Sequence, residues 1–231
     1  RATGLQESTI SLIVGELQAA GLVREEGPPL TSARRGRREV PLALAPDGAY
    51  AVGVHLGIFA IQVAVTDARA EPLARVGARL PAPPTPAAVV DLIGRSVRQA
   101  IDASGIDAGR LIGVGVGVLA AVEPAGGVVR AAGHLEWRDV PLAALLRADL
   151  GLPVWLDHNV RAMALAEQLY GRLGEMRDFA FLNVGTGIGT ALVVGGRLVE
   201  GHAHDAGQVG HLPVAPDGPR CACGRAGCLD A

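Results

Sequence analysis

The three cysteines of this chain, Cys221, Cys223 and Cys228, fall within eight residues of one another, and nine residues separate His211 from the first of them. A disulfide framework spreads its cysteines through a fold, whereas a metal site gathers them. Three thiolates and one imidazole fill a tetrahedral zinc shell. Four protein ligands leave no open coordination position, so the expected zinc is structural, held by His211, Cys221, Cys223 and Cys228. Gly218, Gly224 and Gly227 let the backbone turn tightly around it. The competing reading is three free buried thiols, and the Cys-x-Cys spacing with a third Cys after four intervening residues argues against it. Clustered thiols also fit a reducing cytoplasm, which is the expected location.

The rest of the chain has the pattern of an α/β protein. Hydrophobic residues make up 49% of the 231 and aromatics only 3%, so the core must be built from Val, Leu, Ile and Ala. From Tyr50 onward, Ala51–Gly57 and Ile61–Asp67 read as two strands of a hairpin, and Leu111–Leu119 as a buried Gly/Val-rich strand. Val89–Ser104, Val140–Leu150 and Val160–Tyr170 read as helices, Pro153–Leu156 as a strand, and Phe179–Val184 with Thr190–Val194 as a strand pair. Strands alternating with helices imply α/β architecture. No apolar run approaches the roughly 20 residues needed to span a bilayer, so no membrane partner is expected.

The first segment differs. Ile10, Ile13, Val14 and Leu17 recur with helical spacing, which predicts a helix over Gln6–Ala20 with that face turned to a core. Gly21 is a natural stop, and two short strands follow, the second at Val40–Leu44. Thr3-Gly4-Leu5 and this helix read as the turn and second helix of a helix-turn-helix, with Glu7, Ser8 and Ser11 on the outward side where base edges and phosphates would lie. The net charge is −2, so any nucleic-acid contact must come from a local patch. Arg34, Arg35, Arg37 and Arg38 supply one, as a wing suited to phosphates or a narrow minor groove. The plainer readings are a packed helix and a solvated arginine loop. The order turn, helix, strand and Arg-rich loop favours the DNA-binding reading.

Gly185, Thr186, Gly187 and Gly189 form a Gly-rich turn between two apolar strands, where backbone N–H groups can approach a phosphate. Together with "TGLQESTISLIVGELQAAGLVREEG", "GVGVGVLAAVEPAGGVV", "HLEWRDVPL", "DHNVRAMALAE", "VGTGIGTALVVGGRLVEG", "AGQVGH" and "CACGRAGCLD", this turn makes the chain resemble the ROK family of bacterial sugar kinases and sugar-responsive repressors. The resemblance covers nearly the whole chain. It implies a two-lobed, actin-like (ribonuclease H-like, hexokinase-type) α/β domain with sugar and nucleotide sites in its cleft. The expected organisation is a winged helix-turn-helix over residues 1–45, lacking its first helix, followed by the sugar-kinase-like domain over 46–231. The second lobe of that domain is expected to be incomplete, as in a piece of a longer protein.

Departures from the kinase pattern shape the functional expectation. Where kinases of the family carry Asn-Asp, this chain has His158-Asn159, and an amide cannot take the proton that the kinase Asp takes from a sugar hydroxyl. Where they carry Asp-x-Gly, it has His55-Leu56-Gly57. No catalytic residue is therefore assigned, ATP and magnesium are not expected as cofactors, and Gly57 with Gly185, Thr186, Gly187 and Gly189 is read as a vestigial phosphate loop. By resemblance the sugar site comprises His134, His158, Asn159, Gln208, His211 and Asp230, with His211 serving zinc and sugar together. The expected function is a sugar-responsive transcriptional regulator, a repressor in sign, with operator DNA and a sugar or sugar-phosphate effector as partners and a homodimer or homotetramer as assembly. The rivals are an ATP-dependent sugar kinase using His158 as its base, and a remnant that binds no ligand and represses constitutively.

Overall fold

The computed structural model describes residues 4–27, 40–173, 176–202, 204–221 and 223–231. In chain order the elements are α1 (Glu7–Ala19), β1 (Val23–Glu25), β2 (Leu42–Leu44), β3 (Tyr50–Leu56), β4 (Ala60–Thr66), β5 (Pro72–Arg79), α2 (Pro86–Ser104), β6 (Leu111–Val118), β7 (Ala121–Glu123), β8 (Val128–Ala132), β9 (Trp137–Val140), α3 (Leu142–Leu150), β10 (Val154–His158), α4 (Asn159–Tyr170), β11 (Phe179–Val184), β12 (Ile188–Val194) and β13 (Arg197–Leu198).

A five-stranded sheet in the order β10-β6-β3-β4-β5 forms the centre. β3, β6 and β10 run parallel, and β4 and β5 extend the sheet antiparallel. Strict alternation decides its faces. Val52, Val54 and Leu56, Ile61, Val63 and Val65, Val114, Val116 and Val118, and Val154 and Leu156 are all buried on one side, where β-branched residues suit a pleated, crowded surface.

α2 covers β4 and β5 and packs against α3, which lies over β10. Its start and end are written in its sequence. The Thr85 side chain accepts a hydrogen bond from the Ala88 N–H at 3.3 Å, Pro86 sits at the first turn, and Gly105 closes the helix in the left-handed conformation, φ 66°. Val89, Ile93, Val97 and Ala100 form its buried stripe. Each fully buried Val or Ile contributes about 1.5–3 kcal/mol relative to exposure. The small sheet β7-β8-β9 and Trp137 complete this core, with the indole Nε1 donating to the Pro84 carbonyl at 2.7 Å.

A second cluster gathers Val160 and Ala164 of α4 with Ala191 of β12, joined by Phe179, Phe181 and Leu198. Thus α4 bridges the central sheet and the three-stranded sheet β11-β12-β13.

α1 ends as expected. Leu22 N–H donates to the Leu17 carbonyl and Gly21 N–H to that of Gln18, both at 2.9 Å, with Gly21 at φ 72°. The expected face is found only half-buried: Ile10, Val14 and Leu17 are intermediate in exposure while Ile13 is 39% exposed, and β1 packs against the helix. β1 and β2 pair antiparallel, Val23 opposite Leu44. The predicted arginine wing, Arg34, Arg35, Arg37 and Arg38, lies outside the described residues.

Candidate ligand cleft and metal loop

Parallel strands place ligands beyond their carboxyl ends, and here β3, β6 and β10 end together. Leu56 is opposite Val118, and Val118 opposite His158. The residues just there, His55, Gly57, Leu119 and Asn159, form one wall of a cleft. The other wall is the β11–β12 turn, with Asn183, Gly185, Thr186, Gly187 and Gly189, and Val160 and Met163 of α4 form the base. The structure therefore brings Gly57, the Gly-rich turn and Asn159 to one place, as the sequence suggests. The cleft holds about 180 Å³. Drug-sized ligands occupy roughly 300–1,000 Å³, so this space is small by that measure.

The polar groups of the cleft are amides, a hydroxyl, an imidazole and backbone, and among the described residues no carboxylate lines it. Burial lowers the pKa of His55, favouring the neutral ring. His158 caps α4, its Nδ1 accepting from Val160 N–H at 3.3 Å, while Asn159 Oδ1 shares that donor at 2.9 Å. Burial lowers the His158 pKa as well, the Arg161 cation adds to this, and Asp157 opposes it. A side chain on Gly189 would run into Val160, so that glycine lets the turn close onto α4.

Other expected sugar contacts stand outside the eleven residues that line this space. His134 sits in the turn before β9, with its Nε2 enclosed and without a hydrogen-bond partner; burial lowers its pKa. Gln208 precedes and His211 ends a 3-10 turn, Val209–His211, that packs on β12. Asp230 lies beside the Gly-rich turn, its Oδ1 accepting from Ile188 N–H at 2.6 Å.

The metal reading passes a geometric test. The ligand atoms of His211, Cys221, Cys223 and Cys228 all lie within 4.8 Å of one another. Cys221 Sγ is 3.6 Å from His211 Nδ1, and Cys223 Sγ is 3.6 Å from Cys228 Sγ. Two ligands about 2.3 Å from a tetrahedral zinc stand roughly 3.8 Å apart, so the four donors suit one ion. Hydrogen bonds from the backbone and side chain of Arg225 draw the Cys223 thiol down to about 7, whereas burial pushes Cys228 up to about 11. Gly227 is required here, at φ 68° and packed so that any side chain would meet the Ala215 carbonyl.

Sequence reasoning missed Asn183, Leu119 and Met163 in the cleft. It also missed a charged network behind it. Arg161, only 4% exposed, pairs with Asp157 Oδ1 at 3.1 Å and Glu200 Oε1 at 3.3 Å, and Glu200 Oε2 lies 3.0 Å from His204 Nδ1. Local sequence carries no signal for this network, because Asp157 lies on β10, Arg161 on α4 and Glu200 beyond β13. The network ties α4 to the loop that leads to Gln208.

A family model described as the ROK family matches residues 51–231. The xylose repressor of Caldicellulosiruptor bescii is 31% identical over 98% of this chain and 56% of its own length. Among solved structures, a ROK family transcriptional regulator described as a homolog of the E. coli MLC protein superposes with a TM-score of 0.78 at 25% identity, covering 97% of this chain and 56% of that one. A ROK family glucokinase from Streptomyces griseus, solved with glucose and AMPPNP, gives a TM-score of 0.72 at 30% identity over 79% of this chain and 56% of that one. The chain thus spans about half the length of the curated relatives it matches. Among the described residues no helix is long and apolar enough to cross a membrane.

Proposed function

The chain belongs to the ROK family, and from that premise we propose that it is the DNA-binding and sensing part of a sugar-responsive transcriptional regulator. One observation carries the reading: α1 and the β1–β2 ribbon precede the family domain and run straight into it through Ala45–Ala49, while the cleft of that domain carries Asn159 where a kinase needs an acid. The similarity to a xylose repressor over 98% of the chain, head included, supports it.

In this reading residues 1–45 are a winged helix-turn-helix. α1 enters the major groove with Glu7, Ser8 and Ser11 outward, all three exposed, and the arginine loop follows the phosphates. A sugar or sugar phosphate in the cleft, held by Asn159 and by the groups around it, His134, His158, Gln208, His211 and Asp230, favours one conformation and so changes operator affinity. A structural zinc on His211 and the three cysteines keeps the loop carrying Gln208 and Asp230 in register. Two copies read paired half-sites.

Fluorescence anisotropy of the full-length protein on its own upstream DNA tests this, at several salt concentrations with and without a sugar panel. Specific binding that one sugar shifts is the expected result. No specific binding by folded, zinc-loaded protein rejects the proposal. The Gly-rich turn and the glucokinase similarity favour a second reading, a sugar kinase with His158 as base, for which sugar-dependent ADP release that vanishes in His158→Ala is the signature.

A further inference from the structure

The head and the cleft lie at opposite ends of the same two strands. β3 and β6 run parallel, with Tyr50 opposite Leu111 at one end and Leu56 opposite Val118 at the other. Gly57 and Leu119, which follow these strands, line the cleft. At about 3.3 Å per residue, a strand of this length puts roughly 20 Å between the two ends.

At the far end the connection is a built joint. The turn Pro46–Gly48 is held from the sensor side, where Ala68 N–H donates to the Pro46 carbonyl at 3.1 Å and Arg110 Nη1 to that of Asp47 at 2.7 Å. It is held from the head side by Ala45 N–H donating to the Leu22 carbonyl at 2.9 Å. Gly48 packs so closely on the head that a Cβ there would stand 2.5 Å from the Gly21 carbonyl oxygen. Arg69, from the β4–β5 turn, reaches across: Nε donates to the Leu44 carbonyl on β2 at 3.1 Å, and Nη2 meets Glu26 Oε1, just past β1, at 3.0 Å. The turn that presents it is fixed by Asp67 Oδ1, which accepts from the Arg69 and Glu71 N–H groups at 2.8 and 2.9 Å.

We infer that Arg69 is the side-chain link through which the state of the cleft reaches the DNA-binding head. The inference rests on the regulator reading. Transmission requires an element whose arrangement both sites bias, and a sheet is too stiff to be that element by itself. A short hinge at its end is not. Residues 45–49 fix where the ribbon joins the sheet through backbone hydrogen bonds and the packing of Gly48 on Gly21, and Arg69 adds a side-chain hold on the ribbon. Arg69 engages β2 and the residue that follows β1 at once, so the ribbon turns with β4 and the sheet. A planar guanidinium can hold two acceptors in a fixed fork, which an ammonium on a flexible stem does not reproduce.

The test uses the full-length protein, a DNA fragment from its upstream region, and the sugar that shifts wild-type operator affinity most. Coupled sites typically change one another's affinity by about 5–150-fold. In Arg69→Ala the ratio of operator affinities with and without sugar is expected to fall to near 1. Sugar affinity by calorimetry, which depends on the distant cleft and also reports folding, stays at the wild-type value. Arg69→Lys behaves like Arg69→Ala, and Glu26→Gln, the milder change, loses part of the ratio. If wild type responds to sugar and Arg69→Ala responds equally, the regulator reading stands and the inference alone is overturned. If wild type ignores every sugar, the reading fails and the inference falls with it. Should Arg69→Ala fail to bind sugar, Glu26→Gln decides: an undiminished ratio overturns the inference.

Discussion

Asp230 accepts a hydrogen bond from the backbone N–H of Ile188 at 2.6 Å, and so joins the end of the metal loop to the Gly-rich turn of the cleft. A second strap runs beside it, Asp230 N–H donating to the Gly210 carbonyl at 2.9 Å. Gly210 itself packs against the Ile188 carbonyl with no room for a side chain. The metal loop and the turn therefore behave as one unit.

Removing the carboxylate separates them. Asp230→Ala deletes a charge-assisted bond that is open to solvent, for an expected loss of about 1 kcal/mol of stability. The Ile188 amide then exchanges with solvent faster, and sugar affinity falls. Hydrogen exchange at Ile188 reads the effect directly; protection equal to wild type would show that the turn holds its shape without Asp230.

Metal removal acts on the same unit from the other side. One equivalent of zinc is expected per chain, bound by His211, Cys221, Cys223 and Cys228. A strong chelator lowers the thermal midpoint and increases exchange in residues 209–231 first. Cys228→Ser, at the buried thiol, abolishes zinc retention on gel filtration. A metal-free preparation with an unchanged midpoint would exclude a structural ion.

The pH dependence follows from three imidazoles. Burial lowers the pKa of His55, His134 and His158 below the usual 6.5. The unfolded chain then binds more protons than the folded one as pH falls through about 6.5, so stability is full above that value and declines below it, levelling once the folded histidines also charge. Thermal midpoints at pH 7.5, 6.5 and 5.5 should drop in that order. His134→Asn removes part of the slope, and the difference between variant and wild type isolates this site from the acid sensitivity of the metal loop. Identical slopes would show that His134 titrates normally.

Asn159 in the cleft predicts the catalytic outcome. With ATP, magnesium and a panel of monosaccharides, the protein is expected to release no ADP above background, because Asn159 cannot accept the hydroxyl proton. Turnover that His158→Ala abolishes would overturn this and identify His158 as a working base.

Much of the fold is legible in local sequence. The Val and Ile alternation of β3, β4 and β6, the Thr85-Pro86 start and Gly105 stop of the second helix, and the Gly21 stop of the first each carry their own physical signal within a few residues. β5 and the short strands β7, β8 and β9 are not legible. β5 alternates only partly buried and exposed positions, and β7 and β9 span three and four residues, so their neighbours in the sheet hold them extended. The face expected of α1 is only half-buried for the same reason in reverse: periodicity states which side is apolar, and only a packed partner makes that side interior.

The sequence by itself determined the donor set of the candidate metal loop and the position of the Gly-rich turn. Cysteine spacing and glycine freedom are properties of a few consecutive residues. Tertiary structure alone decided that Asn183 and Leu119 face the same space as His55 and Asn159, that Arg161 lies buried between Asp157 and Glu200, and that Arg69 reaches a ribbon whose contact residue is 43 positions earlier. Those relations join segments far apart in the chain. They exist only once the strands have paired, because burial and reach are set by what comes to lie beside a side chain, not by its neighbours in sequence.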